Sequence, residues 1–256
     1  MLSSRDWHTR FTQQAQWTAS LRDYLFAKLE LNSSQRIIEV GCGTGALLTE
    51  IQSRLSQHTH LHGLDINENH LTLAKALVHN VHLVLGDAHQ LPYAKGSFDI
   101  GLCHFLLIWV LDPERVIAEM KRLVRPGGWV LALAEPDYGG RIDHPAELAQ
   151  LGAWQEQALK HQGADTRLGR RLGAMLYNAG LDQVEYGVLG GQWQGHSPDH
   201  NWQIEWDVLM TDLSDTIDSQ QLLRLKSIDE RASLQGQRVL YVPTFYALGK
   251  VTRDTV

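Results

Sequence analysis

Ile37 to Ala46 reads I-I-E-V-G-C-G-T-G-A: a β-branched run that ends in closely spaced glycines. Such a loop suits one kind of work. Gly41 and Gly43 let the backbone approach a ligand, and the helix that follows offers its N-terminal N–H groups to an anion. Gly41, Gly43 and Ala46 fit the G-x-G-x-x-G/A spacing of dinucleotide-binding loops. A pyrophosphate suits that loop, and so does the carboxylate end of an amino acid. Two carboxylates extend the pattern. Asp65, 24 positions after Gly41, can accept hydrogen bonds from both hydroxyls of a ribose, which fits an adenosine ligand or NAD and disfavours NADP. Asp87, in G-D-A-H-Q-L-P-Y from Gly86 to Tyr93, can accept from an adenine amine while the Ala88 backbone reaches a ring nitrogen. Each has a local alternative: a tight strand-to-helix turn for the glycines, and a helix cap near Asn67 for Asp65.

The elements that position these groups are legible from periodicity. Leu21 to Leu31 has apolar residues at helical spacing. Strands are expected at Arg36 to Val40, Leu61 to Ile66, Val81 to Leu85, Phe98 to Cys103 and Trp129 to Ala134. Helices are expected at Gly45 to Leu55, Glu68 to Val78 and Pro113 to Val124. The last starts with Asp112 as N-cap and Pro113 in its first turn, and stops at R-P-G-G, Arg125 to Gly128. Repeated β-α units imply a parallel, doubly wound sheet whose ligand lies at the carboxyl ends of the strands. Gly41, Asp65, Asp87, His104 and Glu135 to Tyr138 follow predicted strands and are expected to converge.

After Pro136 the pattern changes. Asp143 to Gly180 reads as two helices broken at His161-Gln162-Gly163, Leu181 to Gly191 as a strand, and Trp202 to Ile228 as largely helical. Arg238 to Lys250 is β-branched and aromatic, with Pro243 marking a bulge or an edge strand. The expected layout is one domain over 1–256: N-terminal helices over 1–35, a ligand-binding core over 36–136, a helical cap with a sixth strand over 137–235, and a last strand over 236–256.

Composition excludes several classes. The formal net charge of −6 gives no basic footprint for nucleic acid. Arg167, Arg170 and Arg171 read as a solvated helix face. Two cysteines, Cys42 and Cys103, rule out a disulfide scaffold and suit a reducing cytoplasm. The first residues carry no apolar signal core, and the apolar run Ile100 to Leu111 is shorter than the ~18–20 residues of a membrane span. The expectation is a soluble, cytoplasmic protein with no membrane or nucleic-acid partner.

Taken together, E-V-G-C-G-T-G, L-D-I, G-D-A-H-Q-L-P, F-D-I and R-P-G-G resemble the class I methyltransferases that use S-adenosyl-L-methionine (SAM), in order and at the right intervals over Ile37 to Ala134. Within them the chain is most similar to the group acting on small molecules and quinone precursors. The resemblance implies a seven-stranded, Rossmann-like sheet with a reversed last strand at Arg238 to Lys250. It implies that Glu39, Gly41, Cys42 and Gly43 form the loop, with Gly41 and Cys42 at the methionine moiety. Asp65 and Ile66 would hold the ribose, and Asp87 and Ala88 the adenine. The backbone of His104 would meet the SAM amino group. An NAD-dependent oxidoreductase reading has less behind it: no Tyr-x-x-x-Lys pair follows the core, and Glu39 and Asp87 need separate explanations. A SAM-binding protein without transfer activity is the other alternative.

Methyl transfer from a sulfonium needs alignment and exclusion of water, and a base only when the acceptor arrives protonated. His104 is the first base candidate; Asp137 and Tyr138, in E-P-D-Y-G-G, could bind a cationic or hydroxyl-bearing small-molecule acceptor. In similar enzymes a leading helix closes over SAM, so Arg10 could pair with the methionine carboxylate and Trp17 could face the sulfonium or the acceptor. Trp193, Trp202 and Trp206 read as a core stripe or a pocket lining. His58, His60 and His62 alternate along a strand entry far from the ligand edge, and no metal is expected there.

Overall fold

Ile37, Ile38 and Val40 have no exposed surface, because a parallel strand flanked by helices on both faces must be apolar on both sides. They form β1 (Arg36–Val40), at the centre of a seven-stranded sheet ordered β3-β2-β1-β4-β5-β9-β7. The others are β2 (His60–Asp65), β3 (Val81–Leu85), β4 (Phe98–Cys103), β5 (Val124–Pro136), β7 (Asp182–Val188) and β9 (Thr244–Lys250). This computed structural model describes residues 3–32, 35–55, 60–188 and 200–252. β1, β2, β3, β4 and β5 run parallel; β9 is antiparallel to both of its neighbours, β5 and β7. The doubly wound, mostly parallel sheet with a reversed last strand is therefore present.

The helices α3 (Ala46–Arg54), α4 (Glu68–Leu77) and α5 (Pro113–Leu123) make the crossovers. Asp112 caps α5 by accepting from the Arg115 N–H at 2.9 Å. α5 buries Val116, Ile117, Met120 and Leu123 against the sheet, each contributing roughly 1.5–3 kcal/mol. On the opposite face, Leu21, Leu25 and Phe26 of α2 (Ala19–Lys28) pack with Ile37, Ile100 and Leu131. Ahead of it lies α1 (Ser4–Trp17), whose Ser3–Asp6 capping box starts the described chain.

Several boundaries differ from the pattern-based expectation. β5 starts at Val124 rather than Trp129, because R-P-G-G is taken into the strand across a bulge opposite Phe98 to Ile100. Pro243 divides Arg238 to Lys250 in two: β8 (Val239–Tyr241) leaves the main sheet and pairs with the short β6 (Ile142–His144), and only β9 continues the sheet. α6 (Ala149–His161), α7 (Leu172–Asn178), α8 (His200–Leu213) and α9 (Ser219–Leu234) complete the chain. The cap core gathers Leu148, Leu151, Trp206, Leu209, Leu213 and Leu222. Trp206 is fully buried there, and the Trp202 indole N–H donates to Asp229, so both belong to the core stripe. Trp193 and Gly190-Gly191 lie outside the described residues.

Candidate active site

The loop after β1 turns on Gly41 (φ +74°) and Gly43 (φ +52°), a backbone region that L side chains rarely adopt. A Cβ on Gly41 would lie 2.6 Å from Leu106, and one on Gly43 2.9 Å from Phe11, so a side chain at either position is strained and displaces its neighbour. The Gly41 and Cys42 N–H groups donate to the Leu64 carbonyl at 2.7 and 3.0 Å, tying the loop to β2. Gly45 caps α3 with no side-chain partner, which leaves the helix's first N–H groups open.

Asp65 ends β2 and is 9% exposed. One of its oxygens accepts the Gly43 N–H at 2.7 Å, the other the Asn67 N–H at 2.8 Å. Asn67, not Asp65, caps α4, through the Asn69 and His70 N–H groups. Each Asp65 oxygen therefore keeps a lone pair for a ligand. Glu39 is buried beside it, and its Oε2 has no hydrogen-bond partner. Burial first, then the Asp65 charge, hold the Glu39 carboxyl well above the usual carboxylate range, with the Arg22 guanidinium opposing them. A sealed carboxyl oxygen with no partner is expensive in a fold and belongs to sites that take a polar ligand. The Cys42 thiol between them is pushed up by burial and by Glu39 and Asp65, and stays a thiol.

Further along the sheet edge, Ile66 is 73% exposed, Ala88 is buried, and Asp87 is exposed. Asp87 Oδ1 accepts the His89 backbone N–H at 2.8 Å and meets His89 Nδ1 at 2.6 Å. These bonds lower its carboxyl, so it is a carboxylate with its second oxygen unspent.

His104 follows β4, and its Nε2 lies 2.8 Å from the Thr18 hydroxyl. Arg22, with no exposed surface, donates to that same hydroxyl, to the Ala15 carbonyl and, in a fork, to both Glu50 oxygens. Burial, reinforced by the Arg22 charge, takes His104 down to about 3, so the ring is neutral at physiological pH. As the strand-end base proposed from sequence it is badly placed, with a low basicity and one nitrogen already in use. Sequence reasoning passed over Thr18 and Arg22. The signal was an arginine four residues after a threonine and next to the apolar Leu21, on the side of α2 that is buried.

Glu135, at the end of β5, has no exposed surface. It accepts the N–H groups of Leu106, Leu107 and Ile108 at 3.1, 2.9 and 3.2 Å. Those bonds hold the turn that begins at Phe105, itself left-handed at φ +53°. Desolvation outweighs the three donors and raises the Glu135 carboxyl to about 7.

α1 lies over the loop. Phe11 meets Gly43, His8 Nδ1 is 2.9 Å from the Thr44 hydroxyl, and Phe11 sits edge-on to His70 of α4. Two sequence-based roles are corrected here. Arg10 is buried and forms an ion pair with Glu205 of α8, with the Trp17 ring 4.8 Å from its guanidinium carbon, so it is not free for a carboxylate ligand. Asp137 is 2% exposed and held in a two-pronged pair with Arg170, so it is not free for an acceptor. Arg167, Arg170 and Arg171 are solvent-exposed, as expected, although on a loop and a short turn rather than a helix face, and they pair with Glu156, Asp137 and Asp165. The Tyr138 phenol is raised by burial and lies in the field of Arg10, Glu205, Arg141 and Asp212. His60 is exposed, and the His62 ring stacks on His82 at 4.8 Å; among the described residues no cluster suits a metal.

A family model described as a methyltransferase domain matches residues 38–132, the stretch that supplies Glu39, the glycine loop, Asp65, Asp87 and His104. A demethylmenaquinone methyltransferase of Oceanobacillus iheyensis is 30% identical over 185 residues, spanning 65% of this chain and 77% of that relative. The chain belongs to the class I SAM-dependent methyltransferases. A malonyl-[acyl-carrier protein] O-methyltransferase of a Marinomonas species is similar at 30% identity over 48% of each chain. Against several curated relatives, this methyltransferase thus spans about half their length. A SAM-dependent methyltransferase of Thermotoga maritima shares the fold at a TM-score of 0.55 and 16% identity, over 95% of both chains. A phosphoethanolamine N-methyltransferase of Haemonchus contortus, solved with SAM, does so at 0.55 and 15%, over 86% of this chain and 49% of that one. Among the described residues no helix is long and apolar enough to cross a membrane.

Proposed function

We propose that this methyltransferase moves a methyl group from SAM to a small-molecule acceptor. The observation that carries the reading is Glu39: a sealed carboxylate oxygen with no partner, beside the glycine loop and Asp65. A cationic amino group is the partner such an oxygen calls for, and the methionine end of SAM has one. The uncapped start of α3 and the loop N–H groups suit the methionine carboxylate. The free lone pairs of Asp65 suit the ribose hydroxyls, and Asp87 with the Ala88 backbone suits the adenine edge. Ile66 offers the apolar wall beside the ribose.

When bound, SAM supplies a methyl group on a sulfonium, an electrophile that needs no further activation. The chain's own task is then positional. Glu135 fixes the turn after β4, and the Phe11 face of α1 shields the glycine loop from water. Tyr138, between α1 and the cap, borders the space an acceptor would enter. The relatives' named acceptors, a quinone precursor and a malonyl group on a carrier protein, mark the chemical range to screen first.

Calorimetric titration of the purified protein with SAM, S-adenosylhomocysteine and NADH tests the reading. Micromolar binding of the first two and none of NADH is the expected result. Binding of NADH alone would overturn it.

A further inference from the structure

We infer that His104 is a fixed hydrogen-bond donor, held by Thr18 and Arg22 with its proton on Nδ1, and that it selects an acceptor whose reacting atom is an oxyanion. The inference rests on the methyl-transfer reading above and adds the class of acceptor.

The placement of the protons follows from the network. Thr18 is 1% exposed and has one hydroxyl hydrogen to give. Its oxygen accepts from Arg22. The hydrogen can go to His104 Nε2 at 2.8 Å, to the Ala15 carbonyl at 3.2 Å or to the Gln14 carbonyl at 3.3 Å. The Ala15 carbonyl already takes a charged donor, Arg22, and the Thr18 backbone N–H. Arg22 also polarises the hydroxyl by donating into it, which makes the O–H a stronger donor. The short path to Nε2 wins. Nε2 is then a lone-pair acceptor, and the ring proton lies on Nδ1.

A second proton on Nε2 is opposed from every side. It would face the Thr18 hydrogen and the Arg22 charge, with Glu50 of α3 bound to that guanidinium. Phe105 packs edge-on against the ring at 4.8 Å and brings no charge. The ring therefore stays neutral. Its Nδ1 has no partner among the described residues, and it is not one of the sealed, unpaired atoms. His104 directly follows the carboxyl end of β4, beside β1, where ligands of doubly wound sheets bind.

A donor at that position discriminates between acceptors. An amine nitrogen has a single lone pair, which cannot accept from Nδ1–H and attack carbon at once. An anionic oxygen of a carboxylate, phenolate or enolate has several, so one accepts while another attacks. In the transfer, the oxyanion's electron pair forms the new bond to the methyl carbon. The carbon–sulfur pair returns to sulfur as a neutral thioether, and no proton changes place. No base is needed, in keeping with Asp137 being tied to Arg170 and His104 having no basic nitrogen to spare.

The test is histidine side-chain nitrogen NMR on the full chain, from about pH 4 to about pH 8. His104→Asn assigns the resonance by its disappearance. The expected result is a neutral ring with the proton on Nδ1 across the whole range, and in Thr18→Val a mixture of both tautomers. A proton on Nε2, or titration of wild-type His104 near pH 6.5, would overturn the inference. The SAM titration decides the methyl-transfer reading by itself, so the two can fail separately. If both stand, a matched pair of probes, a benzoate and a benzylamine, completes the test through S-adenosylhomocysteine release. Faster turnover of the amine would overturn the acceptor class.

Discussion

In the cap, Arg141, Asp143, Arg238 and Asp229 leave no carboxylate oxygen unpaired, whereas at the strand ends Glu39 keeps one oxygen with no partner at all. Asp143 takes Arg141 at 2.6 and 3.1 Å and Arg238 at 2.8 Å; Asp229 takes Arg238 at 3.0 Å and the Trp202 indole at 2.9 Å. Those charges cancel, and they fasten the paired strands β6 and β8 to α9. The strand-end groups do not cancel. Two of them, Glu39 and Glu135, are carboxyls forced upward by burial, and a third, His104, is forced downward. Buried charge in one region is paired and serves assembly; in the other, burial pushes the groups toward their neutral forms, as expected where a ligand completes the set.

The largest expected effect comes from breaking the cap cluster. Arg238→Met takes the cation from buried Asp229 and one of two cations from Asp143, and should cost about 3–5 kcal/mol in denaturant unfolding. A loss below about 1 kcal/mol would mean the cluster is wetter than its burial indicates, and the contrast between the regions would collapse. The next effect is a slope. Glu135 holds its proton to about pH 7 in the fold and to about 4.5 when unfolded, so the folded state binds the extra proton between those values. Stability should fall as pH rises through that window, by on the order of 3 kcal/mol, and Glu135→Gln should flatten that fall. An unchanged pH profile in the variant would show the carboxylate to be better solvated than its three backbone donors suggest. The smallest effect tests the open end of the site. Asp87→Ala should weaken SAM binding by on the order of 1–3 kcal/mol in calorimetric titration while leaving unfolding nearly unchanged. Unaltered affinity would take adenine away from β3.

The same contrast separates what the sequence discloses from what it hides. Arg36–Val40 and Phe98–Cys103 appear at the expected bounds because buried parallel strands are short apolar runs with sharp ends, and the half-exposed edge strand Val81–Leu85 does so through its β-branched and aliphatic residues. The glycine loop and the acids after each strand are legible because they answer to local backbone geometry. Arg10 and Asp137 were misjudged because their partners, Glu205 and Arg170, are distant in sequence and set by packing. β6 was missed because three residues carry no period, and its partner β8 was hidden in a run that Pro243 divides. Thr18 and Arg22 escaped notice because their work is visible only once His104 lies against them.

β9 is made after both β5 and β7, yet it lies between them. A nascent chain that has emerged only as far as α9 carries two strand edges facing a gap that no earlier segment fills. The sheet closes only after synthesis has passed Lys250. Until then the growing polypeptide exposes the unpaired backbone that invites edge-to-edge association.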